Sequence, residues 1–581
     1  MHARAIILFI ATLALLLSGC PSPQIEQAPI ILFPASGAVY EEGSLVSFTA
    51  SSDAVWTSSL DGALGSGKTI SIDLSPGEHC ISAASAEGST SSINLVIRPV
   101  EYVAGAWKIL RSGAASASCV LAPGAYKIFA VGGASGSTVA LDWSVYQKNR
   151  GSAINSTALP ARILAPALQV PKTLLRSAKK LQVRLPRTVK AGDTRQFSVA
   201  NPEYGTGVPG WTVNAECVYA DAAIAVWKDT AYSVDPDILA DYLEKLVTIA
   251  LPRAKALWGA QEEPDNDSKL ALLLTGRLNE QELAVGFFNP CDYFPYNDNP
   301  ASADYNPTSN EIDILYMGIP AANEDRNFNR YSLLATAAHE YQHLVRFSRK
   351  TWIRLVLGDP NPPMETPSFD EGMSHLTETL TGFGVSGGNV AFAAYYLSRT
   401  ADFSLCGLDR NGASDSAGKR GMAALFLYYL FSMKGGLEYS QTDPALLVDK
   451  GGLVFLANSI DYYGTGWDYA RDRFSKELQS LLVDFGKSVL ENSGVSGNTI
   501  DTFTGEPVNL DPWMGTLTSP CDPNVTFTLE GPVLLAWSEE YSLIPSSLVF
   551  LQAVSKPDKS KCSILRTAGT GQTCWCFYMD G

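Results

Sequence analysis

At 581 residues the chain is too long for one hydrophobic core, and about three or four domains is the natural division. A formal charge of −16, with no basic run longer than Arg176 to Lys180, excludes a nucleic-acid binder working through a basic patch. Hydrophobic residues at 46% and charged residues at 18% are ordinary for soluble globular protein.

The N-terminus reads as a targeting segment over residues 1–20. Arg4 supplies a positive charge, and Ala5 to Leu17 is apolar but too short for a membrane span. It ends in Leu17-Ser18-Gly19-Cys20, which resembles a bacterial lipobox. That resemblance implies a lipid on Cys20 and a place in the bacterial cell envelope, in the outer membrane, on its periplasmic face or at the cell surface. The other reading is an ordinary secretory signal with an incidental cysteine. Each buried CH₂ contributes about 0.8 kcal/mol, so several acyl chains hold a protein firmly on a bilayer. Pro21, Ser22 and Pro23 suit a tether, and no later apolar stretch is long enough to span.

Residues 27–100 read as short strands divided by Gly/Ser turns. Val46 to Ala50 and Thr69 to Leu74 alternate polar and apolar, and Ser75-Pro76-Gly77-Glu78 is a turn signal. With the lone Trp56 this pattern resembles an immunoglobulin-like sandwich. Residues 101–200 read as a second β-rich domain, with a turn at Leu121-Ala122-Pro123-Gly124 and alternation over Lys179 to Leu185.

The character changes near Thr212. Ala223 to Trp227, Lys269 to Leu274 and Ile312 to Met317 are buried-strand runs, and Pro236 to Trp258 carries apolar residues at helical spacing. Strands and helices alternate as in an α+β enzyme domain over 210–490. A β-rich, cysteine-bearing segment follows over 495–581. Nine cysteines remain after Cys20, none in a CxxC pair, so a thiolate zinc ribbon is not expected. Cys574 and Cys576 are expected to pair elsewhere rather than with each other, with Cys562 or Cys521 as partners.

Tyr331 to Val345 is free of Gly and Pro and strongly helical. Within it His339 and His343 stand at i and i+4, so both imidazoles leave one face and can reach one tetrahedral zinc at about 2.0–2.1 Å. Glu340 is rotated about 100° from His339, near enough to touch a water at the metal without ligating it. Only five histidines stand in the chain, which gives this HExxH weight.

Catalytic zinc wants three protein ligands. Positions 346 and 349 are Arg346 and Arg349, so the Gly and third His of metzincins are absent. After the Gly358 to Pro363 loop comes Ser368-Phe369-Asp370-Glu371-Gly372-Met373-Ser374-His375-Leu376-Thr377-Glu378. This resembles the third-ligand helix of gluzincins, which implies Glu371 as ligand and Glu378 as a supporting acid. Ser368 and Glu371 also fit a capping box, Glu378 also fits a solvated helix acid, and His375 can be a supporting residue, a transition-state donor or packing.

Together with Ser309 to Tyr316, these motifs resemble the hyicolysin-type secreted metallopeptidases over about residues 210–490. The fold expected is multidomain: N-terminal all-β immunoglobulin-like regions, an α+β zincin-like metallopeptidase domain and a β-rich C-terminal segment. The expected function is a membrane-anchored zinc endopeptidase acting on protein or peptide substrates, with Zn²⁺ on His339, His343 and Glu371 and with Glu340 as general base. Tyr395, Tyr396, Arg420, Tyr428 and Tyr429 are the candidates for stabilising an oxyanion, and Ile312 to Met317 is the expected edge strand for substrate. The competing reading is a surface adhesin or binding lipoprotein with an inactive zincin domain. A calcium-stiffened structural loop through Asp292, Asn297, Asp298, Asn299, Asp304 and Asn306 is a third, with no EF-hand spacing to support it.

Cys20→Ser should move the protein from the membrane to the soluble fraction; unchanged membrane retention on fractionation removes the lipobox reading.

Overall fold

The computed structural model describes residues 28–579 apart from short stretches, the longest being 99–106, 148–169, 178–187, 202–208 and 493–514. Cys20, the Lys179 to Leu185 segment and Cys521 lie outside the described residues. The chain is multidomain, with a β-rich N-terminal region, a helical middle and a β-rich C-terminus. Among the described residues no helix is long and apolar enough to cross a membrane.

The N-terminal region is six strands between Ile31 and Arg98 in one hydrogen-bonded network. Alternation sends Val46, Phe48, Trp56, Ile81, Ala83, Leu95 and Ile97 into a core of their own. Trp56 is fully buried at its centre, its ring tilted 44° against Phe48 with centroids 5.6 Å apart, and its Nε1 donates to the Gly67 carbonyl at 2.8 Å.

The second β region and the C-terminal segment, which the sequence divides into two units, share their sheets. One sheet orders Glu540–Leu543, Ser137–Asp142, Ser560–Gly569 and Ser116–Leu121. The other runs Tyr146–Gln147, Leu548–Ser555, Ala125–Gly132, Thr573–Met579 and Trp107–Ser112. Tyr126, Ile128, Val139, Val549, Ile564, Trp575 and Phe577 fill the space between them. Because side chains alternate along a strand, Cys574 and Cys576 leave the opposite face from Trp575 and enter the large core of the helical region. Cys562 lies with Trp575 in the other cluster, so the Cys562 pairing expected for these two cysteines does not fit their orientation.

In the middle region a six-stranded sheet orders Thr194–Ala200, Pro209–Ala220, Ile224–Asp229, Leu270–Leu274, Ile314–Met317 and Gly286–Phe288. Thr194–Ala200 thus belongs to this sheet and not to the preceding β region. Ile224–Asp229, Leu270–Leu274 and Ile314–Met317 are parallel to one another, and their near-continuous apolar runs are buried on both faces. Ile314–Met317 is therefore an interior strand. The edge is Gly286–Phe288, paired antiparallel to it, which corrects the edge role expected for Ile312 to Met317.

Pro236 to Trp258 is helical throughout, with a π-turn at Leu246–Ala250 just ahead of Pro252, whose missing N–H and bulky ring interrupt the regular ladder. Helices Arg330–Arg346, Pro367–Leu380, Val390–Ser398, Ala417–Met433, Gly452–Asp461 and Leu478–Asn492 belong to this region. Leu478–Asn492 lies against the sheet of Ala125–Gly132. A Cβ on its Gly486 would stand 2.5 Å from the Phe129 ring, so the two surfaces meet as one core.

Phe129 is fully buried at that junction. Phe129→Ala should cost about 3–5 kcal/mol and shift the melting of the helical region together with that of the sheet. A helical transition left where it was in calorimetry would show that the core is not shared.

Candidate metal centre

The helix Arg330–Arg346 starts where the Asn329 side chain accepts from the Tyr331 and Ser332 N–H groups. It is buried almost along its whole length, against the parallel strands on one side and the helix Pro367–Leu380 on another. That second helix begins at Thr366 with Pro367 in the first turn. Ser368 donates to the Leu405 carbonyl at 2.6 Å, and Glu371 is 2% exposed inside the protein, so the capping-box alternative does not describe this helix start. Gly372 follows because nothing larger fits: a Cβ there would stand 2.8 Å from both Ala423 and Leu427 of Ala417–Met433.

This packing converges three side chains. His339 Nε2 and His343 Nε2 are 3.2 Å apart, and the Glu371 carboxylate lies 3.5 Å from the first and 3.6 Å from the second. A tetrahedral zinc with bonds of about 2.0–2.1 Å spaces its ligands about 3.3 Å apart. The triangle of side chains has that size, with Oε2 of Glu371 nearest His339 and Oε1 nearest His343.

The atoms behind the triangle fix it. His339 Nδ1 donates to Glu378 at 2.8 Å and His343 Nδ1 to Asp370 at 3.0 Å, which leaves each Nε2 lone pair turned towards the triangle. Glu378 is 1% exposed, so it is no solvated helix acid. His375 Nδ1 stands 2.8 Å from the same Glu378 oxygen, and its ring packs on His339 and Phe392 with centroids 4.8 and 4.9 Å away. His339, His375 and Glu378 also gather three donor atoms. Their 2.8 Å spacings are hydrogen-bond distances, shorter than ligand spacings about a metal. Burial pushes the His375 ring down to about 4 against the pull of Glu378.

Arg420 Nη1 is 2.8 Å from Glu371, and its Nη2 is 2.5 Å from Asp415. Burial alone would raise the Glu371 carboxyl, but Arg420 and the two imidazoles hold it well below the usual carboxylate range. Of the residues expected to offer oxyanion stabilisation, Arg420 is thus engaged with Glu371. Tyr395 and Tyr396 pack on Phe403, and Tyr429 on Phe485.

Glu340 is not one of the three converging donors. Its Oε2 accepts the Phe288 N–H at 2.9 Å, on the edge strand Gly286–Phe288. Burial raises its carboxyl, an effect the two imidazoles partly offset.

The donors suit a metal cation. Burial would lower the basicity of the His339 ring, yet Glu371 and Glu378 raise it to about 10. Burial likewise opposes protonation of His343, and Asp370 overcomes it. The imidazoles stand where positive charge is wanted, and a bound cation supplies it without protonating a ligand.

The sequence did not single out Asp370, the Phe288 N–H or Arg346. Asp370 could have been found, since it precedes Glu371 on the same helix and takes the second imidazole. Arg346, one of the two positions that exclude the metzincin pattern, is 2% exposed and pairs with Glu365 and Asp370, each at 3.2 Å. In the loop proposed for calcium, Asp292 accepts from Asn310 and Tyr316, Asn297 donates to Asp304, and Asn306 donates to the Cys291 carbonyl. A cavity of about 1020 Å³ lies between the C-terminal sheet and the helical region, lined by Gly133, Ser368, Lys419, Trp467 and Gln572, and does not include the triangle.

No family model matches the chain. A stretch of 105 residues is 29% identical to the neutral metalloprotease ShpI of Staphylococcus hyicus. That stretch is 17% of this chain and 22% of the relative. The likeness is weak and distant; it supports at most a metallopeptidase-like relationship, and a metal ion with it.

Glu378→Gln keeps the shape of the support behind His339 but removes its charge. Metal affinity, read by competition with a chelator, should fall about 10–100-fold. An unchanged affinity would show that Glu378 does not act on the imidazole.

Proposed function

We propose that this chain is a zinc metalloendopeptidase, held on the bacterial envelope by lipid at Cys20, with His339, His343 and Glu371 as ligands. The observation that carries the reading is the convergence of these side chains, with the two Nε2 atoms 3.2 Å apart, one Glu371 oxygen 3.5 Å from His339 and the other 3.6 Å from His343, separations that suit tetrahedral zinc. In this reading residues 210–490 form a zincin-like domain and the six N-terminal strands an immunoglobulin-like spacer.

When bound, the metal supplies Lewis acidity, polarising a scissile carbonyl and making water acidic enough to lose a proton near neutral pH. Glu340 does the proton work. It receives the proton from water and delivers it to the departing amine. The Phe288 N–H holds its carboxylate on the side facing the edge strand. Gly286–Phe288 takes the role assigned to Ile312 to Met317. An extended peptide adding to this edge would bring its backbone beside Glu340 and the triangle, with main-chain hydrogen bonds providing affinity. Arg420 keeps Glu371 ionised, and Glu378 and Asp370 keep both imidazoles aimed. Every one of these side chains is intact, which favours an enzyme over an adhesin with an inert domain.

Glu340→Gln should retain zinc at wild-type stoichiometry and cleave casein about 10²–10⁴-fold more slowly. Lost zinc would make Glu340 a ligand. Retained zinc with undiminished cleavage would remove it from the reaction. A wild type that holds zinc and cleaves nothing would leave the binding lipoprotein.

A further inference from the structure

A second group of metal-type donors lies on the far side of the motif helix. Glu263, Asp265, Asp267 and Asp313 bring carboxylate oxygens within 4.8 Å of one another. Three come from the loop after Trp258, which curls through Asn266 and Ser268, both at positive φ. The fourth stands just ahead of the strand Ile314–Met317. Acidic groups gather on many surfaces without a ligand, but Asp313 is not on the surface. It is fully buried; one oxygen accepts from Gln261 Nε2 at 2.7 Å, and the other has no partner. One oxygen each of Glu263 and Asp265 is likewise buried and unpartnered.

We propose that Glu263, Asp265, Asp267 and Asp313 form a calcium site. Calcium takes six to eight oxygens at about 2.3–2.6 Å, an oxygen-rich shell of the kind a cluster of carboxylates supplies. Four carboxylates offer that many atoms. An all-oxygen set without imidazole or thiolate is wrong for zinc, and magnesium, which keeps its waters, gains less from an all-protein cage. Burial first, and then Asp265 beside it, lift Glu263 to about 7; burial and Asp267 lift Asp265 to about 6. Arg195, Lys255 and Lys269 offset part of this crowding.

The site is wired to the motif helix. Gln261 donates to Asp313, and Tyr341, the residue after Glu340, donates to Gln261 Oε1 at 3.2 Å and to the Gly259 carbonyl at 2.9 Å. A cation here braces the loop against the helix that carries His339 and His343.

The test uses the full chain with zinc loaded and calcium removed by a chelator in zinc-buffered solution. Calorimetric titration with calcium should show one ion per chain with a Kd in the micromolar to millimolar range. At about a hundred times that Kd the melting temperature should rise by about 5–10 °C, and magnesium should do far less. The double variant Asp265→Asn, Asp267→Asn should lose the calcium rise and keep its zinc. Without calcium it should melt at or above the wild type, because like charges have been removed. Equal effects of calcium and magnesium, or a calcium rise retained in the variant, overturn the proposal. So does a variant that melts well below the wild type before calcium is added, since its carboxylates would then have protein partners.

Discussion

Buried negative charge is what the helical region is built around. Glu340, Glu371 and Glu378 are each no more than 4% exposed, and they surround two imidazoles. Carboxylates cannot be left in a protein interior without cations or donors to meet them. Arg420 meets Glu371 from the helix Ala417–Met433, Arg346 meets Asp370, and the edge-strand N–H of Phe288 meets Glu340. Each contact comes from a different element. Sheet, motif helix, second helix and third helix are therefore fixed relative to one another by the need to satisfy one small set of charges. Arg346 shows the degree of commitment: it is sandwiched between Trp258 and Phe369, each 5.5 Å from its guanidinium carbon, while paired to two acids.

Close packing does the rest. Gly372 lets two helices approach without a side chain between them, which carries Glu371 to the imidazoles. A glycine beside the ligand is thus a statement about distance between helices rather than about backbone conformation.

The local chemistry was legible in the sequence because helical spacing converts residue number directly into direction. His339 and His343 at i and i+4, and Glu371 and Glu378 two turns apart on one helix, have few other ways to face. The buried strands were legible for the same reason, since continuous apolar runs such as Leu270–Leu274 suit a strand covered on both faces. What could not be read was partnership across long separations. Nothing local in Ile314–Met317 says that Gly286–Phe288, a three-residue strand, will cover its edge. Nothing in Glu263, Asp265 and Asp267 says that Asp313 will close over them. The division into β regions failed on the same ground: alternation identifies a strand, but the hydrogen-bond partner of Ala125–Gly132 lies more than four hundred residues away, at Leu548–Ser555.

That last pairing sets a schedule. The strands between Trp107 and Gln147 emerge from the ribosome long before their partners, which begin at Glu540. At about 5–20 residues per second, the intervening stretch takes on the order of 20–80 s to synthesise. Throughout that interval Ala125–Gly132 has an apolar face and two open edges, the combination that invites pairing with a neighbouring chain. The six N-terminal strands have their own core and can close at once. The sandwich behind them cannot close until Thr573–Met579 has been made, so until then the waiting strands must be shielded, by a chaperone or by being kept extended.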